Sequence, residues 1–374
     1  MRPIIQKIKD FFAKERILGN HGESRGLVKA HTLLAQLADK GRVPGLSLTV
    51  LKEGQVYFQK GYGLANMATG MPMDPKKTSL RIASVSKPIT ATALALMVSE
   101  GIVDLDTSFY RYVPYFPRKK WDFTIRHLAS HTAGIRGYRG REFALNRAYS
   151  IKESLVVFQE DPLVFEPGKG YLYTSFDFVL LSLAMQEASG IPFADYVKTK
   201  VLDPLGMRHT MPESYPKAGE GEIKEAIQAQ IAVKSPTGAP GIGYARTRSG
   251  FRKATAVNNT YKLAGGGYLS TSEDIAKLGK AYLEAGFLTP GTVGEFLTPQ
   301  KIRGKSTYYG LGWQISQDSA GRPFYGHIGN SVGAYSNFFV YPKEQVVIAL
   351  LINCTDPKVQ PILDAALDVL LIDP

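Results

Sequence analysis

The chain has 374 residues, 44% hydrophobic and 21% charged, which is the balance of a globular protein with ample core. Its net charge is +12, but lysine and arginine are scattered with no run beyond residues 118–120, so nothing marks a nucleic-acid-binding surface. The single cysteine, Cys354, excludes an internal disulfide and a cysteine-built zinc cluster; no apolar stretch is long enough for a membrane span, and the cytoplasm is the default location.

The first segment places Ile4, Ile5, Ile8, Phe11, Phe12 and Ile17 near one helical face, with lysine and arginine opposite. This predicts an amphipathic extension over residues 1–26, packed on the body or on a second copy, or resting on a membrane surface. Residues 28–41 read as a helix. GLSLTVLKEGQVYFQKGYG alternates, turns at Glu53 and Gly54, and alternates again, as a β-hairpin does. Residues 88–99 form an apolar helix stopped by Gly101. TIRHLASHTAG fits a short helix capped by Thr124 and ended by Gly134, and SFDFVLLSLAMQEASG another that ends at Gly190. Residues 212–260 are polar and rich in Gly, Pro and Lys, which suits extended loops with short strands. STSEDIAKLGKAYLEAG restarts helix, with Thr271 and Asp274 as an approximate capping box. YYGLGWQIS, RPFYGHIG, AYSNFFVYP and QVVIALLIN read as successive strands, and PKVQPILDAALDVLLI as a closing helix.

Strands at both ends with helices between predict an α/β (α+β) fold. One antiparallel sheet is built from both termini with flanking helices, about 27–90 and 300–374, and carries an inserted helical lobe, about 91–299. The cleft between the two parts is the natural ligand site.

Two patterns compete for a nucleophilic serine. Gly329-Asn330-Ser331-Val332-Gly333 is G-x-S-x-G. That elbow needs a helix after the serine and a histidine downstream, whereas β-type residues follow Ser331 and the last histidine, His327, precedes it. Ser84 and Lys87 form S-x-x-K, a pattern that a chain of this length contains about once by chance; a second copy, Ser214 to Lys217, is flanked by Pro212 and Pro216 and reads as a loop. At Ser84 a helix start puts the hydroxyl and the amine on one face. The free N–H groups of that first turn favour developing negative charge, and the serine's own N–H can help hold an oxyanion. The plain alternative makes Ser84 an N-cap and Lys87 a solvated lysine.

Two further segments tip the balance: PGKGYLYTSFDF places Tyr173 and Ser175 at a helix start, and YGHIGNS places His327, Gly329 and Asn330 on a strand. The order S-x-x-K, Tyr-x-Ser/Asn, His/Lys-x-Gly resembles that of serine β-lactamases and penicillin-binding proteins, class C branch, and most closely its mitochondrial β-lactamase-like members and their bacterial relatives. IRHLASHTAGI, LAGGGYLSTSEDIAKLG and YGLGW agree, and the likeness runs from about Val43 to Asn353. The resemblance implies a β-lactamase/transpeptidase-like domain over residues 27–374. It also implies a serine hydrolase that acts through an acyl-enzyme on esters, amides or peptides without a cofactor, with weak β-lactamase activity conceivable. Ser84 would attack, with Lys87, Tyr173 or the pair as base. The Ser84 and Asn330 N–H groups would form the oxyanion hole, and Ser175, His327 and Gly329 would contact substrate. Ser175 stands where the class C pattern usually has Asn, and His327 where it has Lys, so the fixed charge that would hold a β-lactam carboxylate is weakened. A non-catalytic scaffold or sensor on the same fold is the competing expectation. His127 and His131, spaced four apart, lack a third ligand and are expected to serve structural hydrogen bonds.

Overall fold

In a computed structural model, residues 25–213 and 240–372 are described. The expected N-terminal extension and the second S-x-x-K lie outside them, apart from the last two residues of the extension.

Helix α1 (Arg25–Asp39) leads into strands β1 (Gly45–Lys52), β2 (Gln55–Asn66) and β3 (Met71–Pro72). Glu53 and Gly54 both adopt positive φ, 50° and 73°, as the tight turn between twisted strands requires. Helix α2 (Ser86–Ser99) follows, then α3 (Ser175–Ser189) and α4 (Ser272–Leu283). The C-terminal part supplies β4 (Gln314–Gln317), β5 (Pro323–Ser331), β6 (Ala334–Tyr341), β7 (Val346–Ile352) and helix α5 (Gln360–Ile372). The sheet order is β4-β5-β6-β7-β1-β2-β3, with every neighbour antiparallel. β1 therefore pairs with β7 at the centre, and the two ends of the chain build one sheet, as the sequence predicts.

Strand alternation divides the core into two. Leu46, Leu48 and Val50 of β1 and Ile348, Leu350 and Ile352 of β7 pack with Leu34 and Leu37 of α1 and Leu363 and Leu367 of α5. The opposite residues, Val347, Ala349 and Leu351, face α4 and the helical part. Burial on both faces explains why β7 reads VVIALLI without polar alternation. Gly279 lets α4 approach closely, since a Cβ there would sit 2.4 Å from Val347.

α3 is largely apolar, with Phe176 to Met185 buried, and runs through the larger core; Thr174 caps it and Gly190 ends it at φ 68°. Three boundaries differ from expectation. The helix after Thr124 covers only Ile125–Ala129, because His131 takes φ 60° before Gly134 is reached. Residues 308–313 are not strand: Tyr308 and Gly312 both have positive φ, 55° and 82°, and the strand starts at Gln314. The apolar helix after Ser84 begins at Ser86, two residues before Pro88, because proline fits the first turn. Within 240–260 a small hairpin, Tyr244–Thr247 with Gly250–Lys253, matches the expected short strands.

Candidate active site

Ser84 is placed by a strained turn. Strand Leu80–Arg81 pairs with Tyr268–Ser270, and the Ile82 N–H continues that ladder to the Tyr268 carbonyl at 3.1 Å. Ala83 then takes φ 48°, a conformation that costs a residue with a Cβ about 1–2 kcal/mol. A 3-10 turn, Ala83–Val85, carries Ser84 ahead of α2. Ser84 is thus not the N-cap of the helix; Ile82 and Val85 hold the N-cap positions of the turn and of α2, without side-chain capping bonds. The turn runs on into α2, so Ser84 and Lys87, three residues apart, share one face of the continuous helical backbone.

The expected trio converges. Lys87 is wholly buried; its Nζ donates to Ser84 Oγ at 3.1 Å and to the Gly265 carbonyl at 2.7 Å. The Tyr173 hydroxyl donates to the same Oγ at 2.8 Å. Lys87 Nζ also lies 4.7 Å from the Tyr173 ring centre and 5.3 Å from that of Phe178. Burial lowers the Lys87 pKa to about 7, against the pull of Asp177 and aided by Lys262. Tyr173 moves the opposite way: desolvation of its hydroxyl pushes it up, and the Ser84 hydrogen bond offsets only part of that. Of the two candidate bases, the amine is the one held near neutrality.

The remaining predicted residues divide. Ser175 opens α3 and, with Ser84 and Asn330, lines a pocket of about 100 Å³. Gly329 lies against the turn that carries Ser84: a Cβ there would meet the Ile82 carbonyl at 2.5 Å and Ser336 Oγ at 2.3 Å. Ser336 Oγ donates to that carbonyl at 2.8 Å, which ties β6 to the turn as well. His327 is close but occupied. Its Nδ1 lies 2.7 Å from the Ile328 carbonyl and its Nε2 3.0 Å from the Tyr309 hydroxyl. Burial first, and Lys87 second, lower its pKa to about 3. The ring is therefore neutral, with both nitrogens engaged inside the protein.

Other residues singled out in the sequence take structural places. Ser331 ends β5, and its buried Oγ has no hydrogen-bond partner, so nothing activates it. His127 Nδ1 accepts from the Thr124 N–H at 3.2 Å and completes a capping box. His131 Nδ1 lies 2.8 Å from Asp177 Oδ2, both buried, and its ring packs 4.4 Å from that of Tyr173. Burial holds Asp177 above the usual carboxylate range and His131 below its own. Trp313 belongs to the core against Tyr282, while Tyr309 stands 6.0 Å from Tyr173, ring to ring. Sequence reasoning missed Asp177, Tyr138, Asn259 and Lys262; the last three line the pocket but sit in no spaced motif. Among the described residues no three His, Cys, Asp or Glu side chains converge to hold a metal ion, and no helix is long and apolar enough to cross a membrane.

A hydroxyl that receives hydrogen bonds from a buried amine and a phenol is an arrangement suited to acyl transfer. The model of the Beta-lactamase family matches residues 30–371. The chain belongs to that family. Its members' fold, an antiparallel sheet with helices around it, is the one described above. The mouse mitochondrial serine beta-lactamase-like protein LACTB is 26% identical, with 86% of this chain and 74% of that protein covered. Esterase EstB of Burkholderia gladioli is 34% identical over 45% of this chain and 46% of its own length. The D-amino acid amidase of Ochrobactrum anthropi, at 22% identity, superposes with a TM-score of 0.74 over 93% of this chain and 99% of that one. One sequence relative is thus named for esterase activity, and the fold is shared with a protein named for amidase activity.

Proposed function

We propose that the protein is a serine hydrolase of the Ser-Lys-Tyr type, acting through an acyl-enzyme on esters or amides. Ser84 Oγ attacks the carbonyl carbon and passes its proton to the neutral amine of Lys87. The N–H groups of Ser84 and Asn330 hold the oxyanion, with Gly329 allowing the strand to come close enough. Collapse breaks the ester or amide bond, and the leaving group takes a proton through the Tyr173 hydroxyl, resupplied by Lys87. Water then attacks the acyl-enzyme and gives its proton to Lys87; the Ser84 Oγ–acyl bond breaks, Lys87 returns that proton to Oγ, and the acid is freed. Ser175 borders the substrate on the helical side. The observation that carries this reading is the pair of hydrogen bonds converging on Ser84 Oγ from Lys87 and Tyr173.

Neutral His327 offers no cation to a β-lactam carboxylate along the strand, so we expect a short p-nitrophenyl ester to turn over faster than a chromogenic cephalosporin. Labelling by a fluorophosphonate probe should occur in the native chain and vanish in Ser84→Ala. Labelling that survives that change would move the nucleophile elsewhere, and no labelling at all would favour a scaffold on this fold.

A further inference from the structure

We infer that Lys262 is a specificity-determining residue that binds a carboxylate of the substrate in the pocket where Ser84 reacts. This rests on the hydrolase reading and narrows it to esters or amides that carry a carboxylate. Lys262 directly precedes the short helix Leu263–Gly266, whose Gly265 carbonyl holds Lys87, so one segment positions both amines. Its side chain is 7% exposed and lines the pocket together with Ser84, Ser175 and Asn330.

Nothing in the described protein neutralises this ammonium. Its Nζ donates to the Phe143 carbonyl at 2.7 Å and lies 5.5 and 5.6 Å from the ring centres of Tyr138 and Tyr261. These contacts favour a cation but do not cancel it. The acid nearest in its electrostatic surroundings, Glu213, is already engaged. Its Oε1 accepts from Arg81 Nε at 2.7 Å and its Oε2 from Asn259 Nδ2 at 2.8 Å. No aspartate or glutamate occurs among the described wall residues, where Lys262 is the one cationic side chain. An ammonium has three hydrogens to donate, and the Phe143 carbonyl accounts for one. A buried charge of this kind is costly unless a partner arrives. The partner that fits is anionic and small, and Asn259 Nδ2, which gives one hydrogen to Glu213, has a second that suits a carboxylate. His327 is neutral and lies outside this lining, so the positive charge of the pocket wall is that of Lys262.

Two ester pairs test this. One is p-nitrophenyl hydrogen glutarate against its methyl ester, with the carboxylate on the acyl side. The other is 4-acetoxybenzoate against its methyl ester, with the carboxylate on the leaving side. After subtraction of spontaneous hydrolysis, the native enzyme should favour the free carboxylate of one pair by about ten-fold or more in kcat/KM, mainly through KM. In Lys262→Met that ratio should collapse toward one. Lys262→Gln, which keeps a donor for the Phe143 carbonyl, should behave the same way and guards against loss by misfolding. Turnover of neutral esters without preference in either pair, or a preference that survives both variants, overturns the inference. A second measurement needs no turnover: calorimetric titration of monomethyl glutarate into Ser84→Ala and into Ser84→Ala/Lys262→Met. Binding to the first and not the second supports the carboxylate site even if hydrolysis fails. Equal binding, or none to either, overturns the site even if esters are hydrolysed.

Discussion

Lys87 meets two opposed demands. Its amine must be buried to lose its proton near neutrality, and that burial works against the fold. A fall from 10.5 to about 7 corresponds to about 5 kcal/mol of differential interaction between the two protonation states. Between those two values the unfolded chain holds a proton that the native chain lacks, so this group's contribution to stability rises with pH. Below about pH 7 the native state must charge a buried amine, and the full penalty applies. Three predictions follow at this scale. Ester hydrolysis, as kcat/KM, should rise with pH through an inflection near 7. Lys87→Met should lose at least about 10³-fold in turnover, yet raise the unfolding free energy at pH 6 by about 1–3 kcal/mol, read by chemical denaturation. Tyr173→Phe leaves the Lys87–Ser84 hydrogen bond in place and removes the proton path to the leaving group. It should lower kcat about 10–100-fold with the inflection retained.

At the scale of elements, the site depends on how closely β5 meets the turn that carries Ser84. Gly329 is the point of approach, and the clash a Cβ would make there includes a backbone carbonyl that cannot step aside. Gly329→Ala should therefore push the strand off the turn. We expect a loss of about 2 kcal/mol in stability and at least about ten-fold in kcat/KM, measured by denaturant titration and ester turnover. Much of this was legible in advance. The glycine turn at Glu53 and Gly54, the Gly190 end of α3 and the alternation of β1 and β2 are local signals, and each held. Ala83 was not legible, because its positive φ is imposed from outside: Tyr268 continues the ladder on one side and Ser336 grips Ile82 on the other. The same holds for His131, whose backbone ends a helix early in order to reach Asp177. Lys262 and Asp177 have no spacing to announce them; each becomes significant only through residues more than forty positions away.

For the whole molecule, the sheet separates chemistry from support. The α1 and α5 side holds an apolar core with no site residue in it, while the other side carries the pocket. Leu363, fully buried on the support side, offers a control. Leu363→Ala should cost about 2–5 kcal/mol of stability by leaving a cavity, while the pH inflection of ester hydrolysis in the folded protein stays near 7. We further propose that the sheet-bearing part and the helical lobe act as two supports on either side of the cleft. Lys87 comes from α2, Tyr173 from the segment before α3 and the Asn330 N–H from β5. The most direct measurement of the central claim is the rate of fluorophosphonate modification as a function of pH, with the adduct mapped by peptide mass. The prediction is modification of Ser84 at a rate that rises through an inflection near pH 7 and loses that inflection in Lys87→Met. An adduct on another residue, or a Ser84 rate that keeps its pH dependence without Lys87, would contradict it.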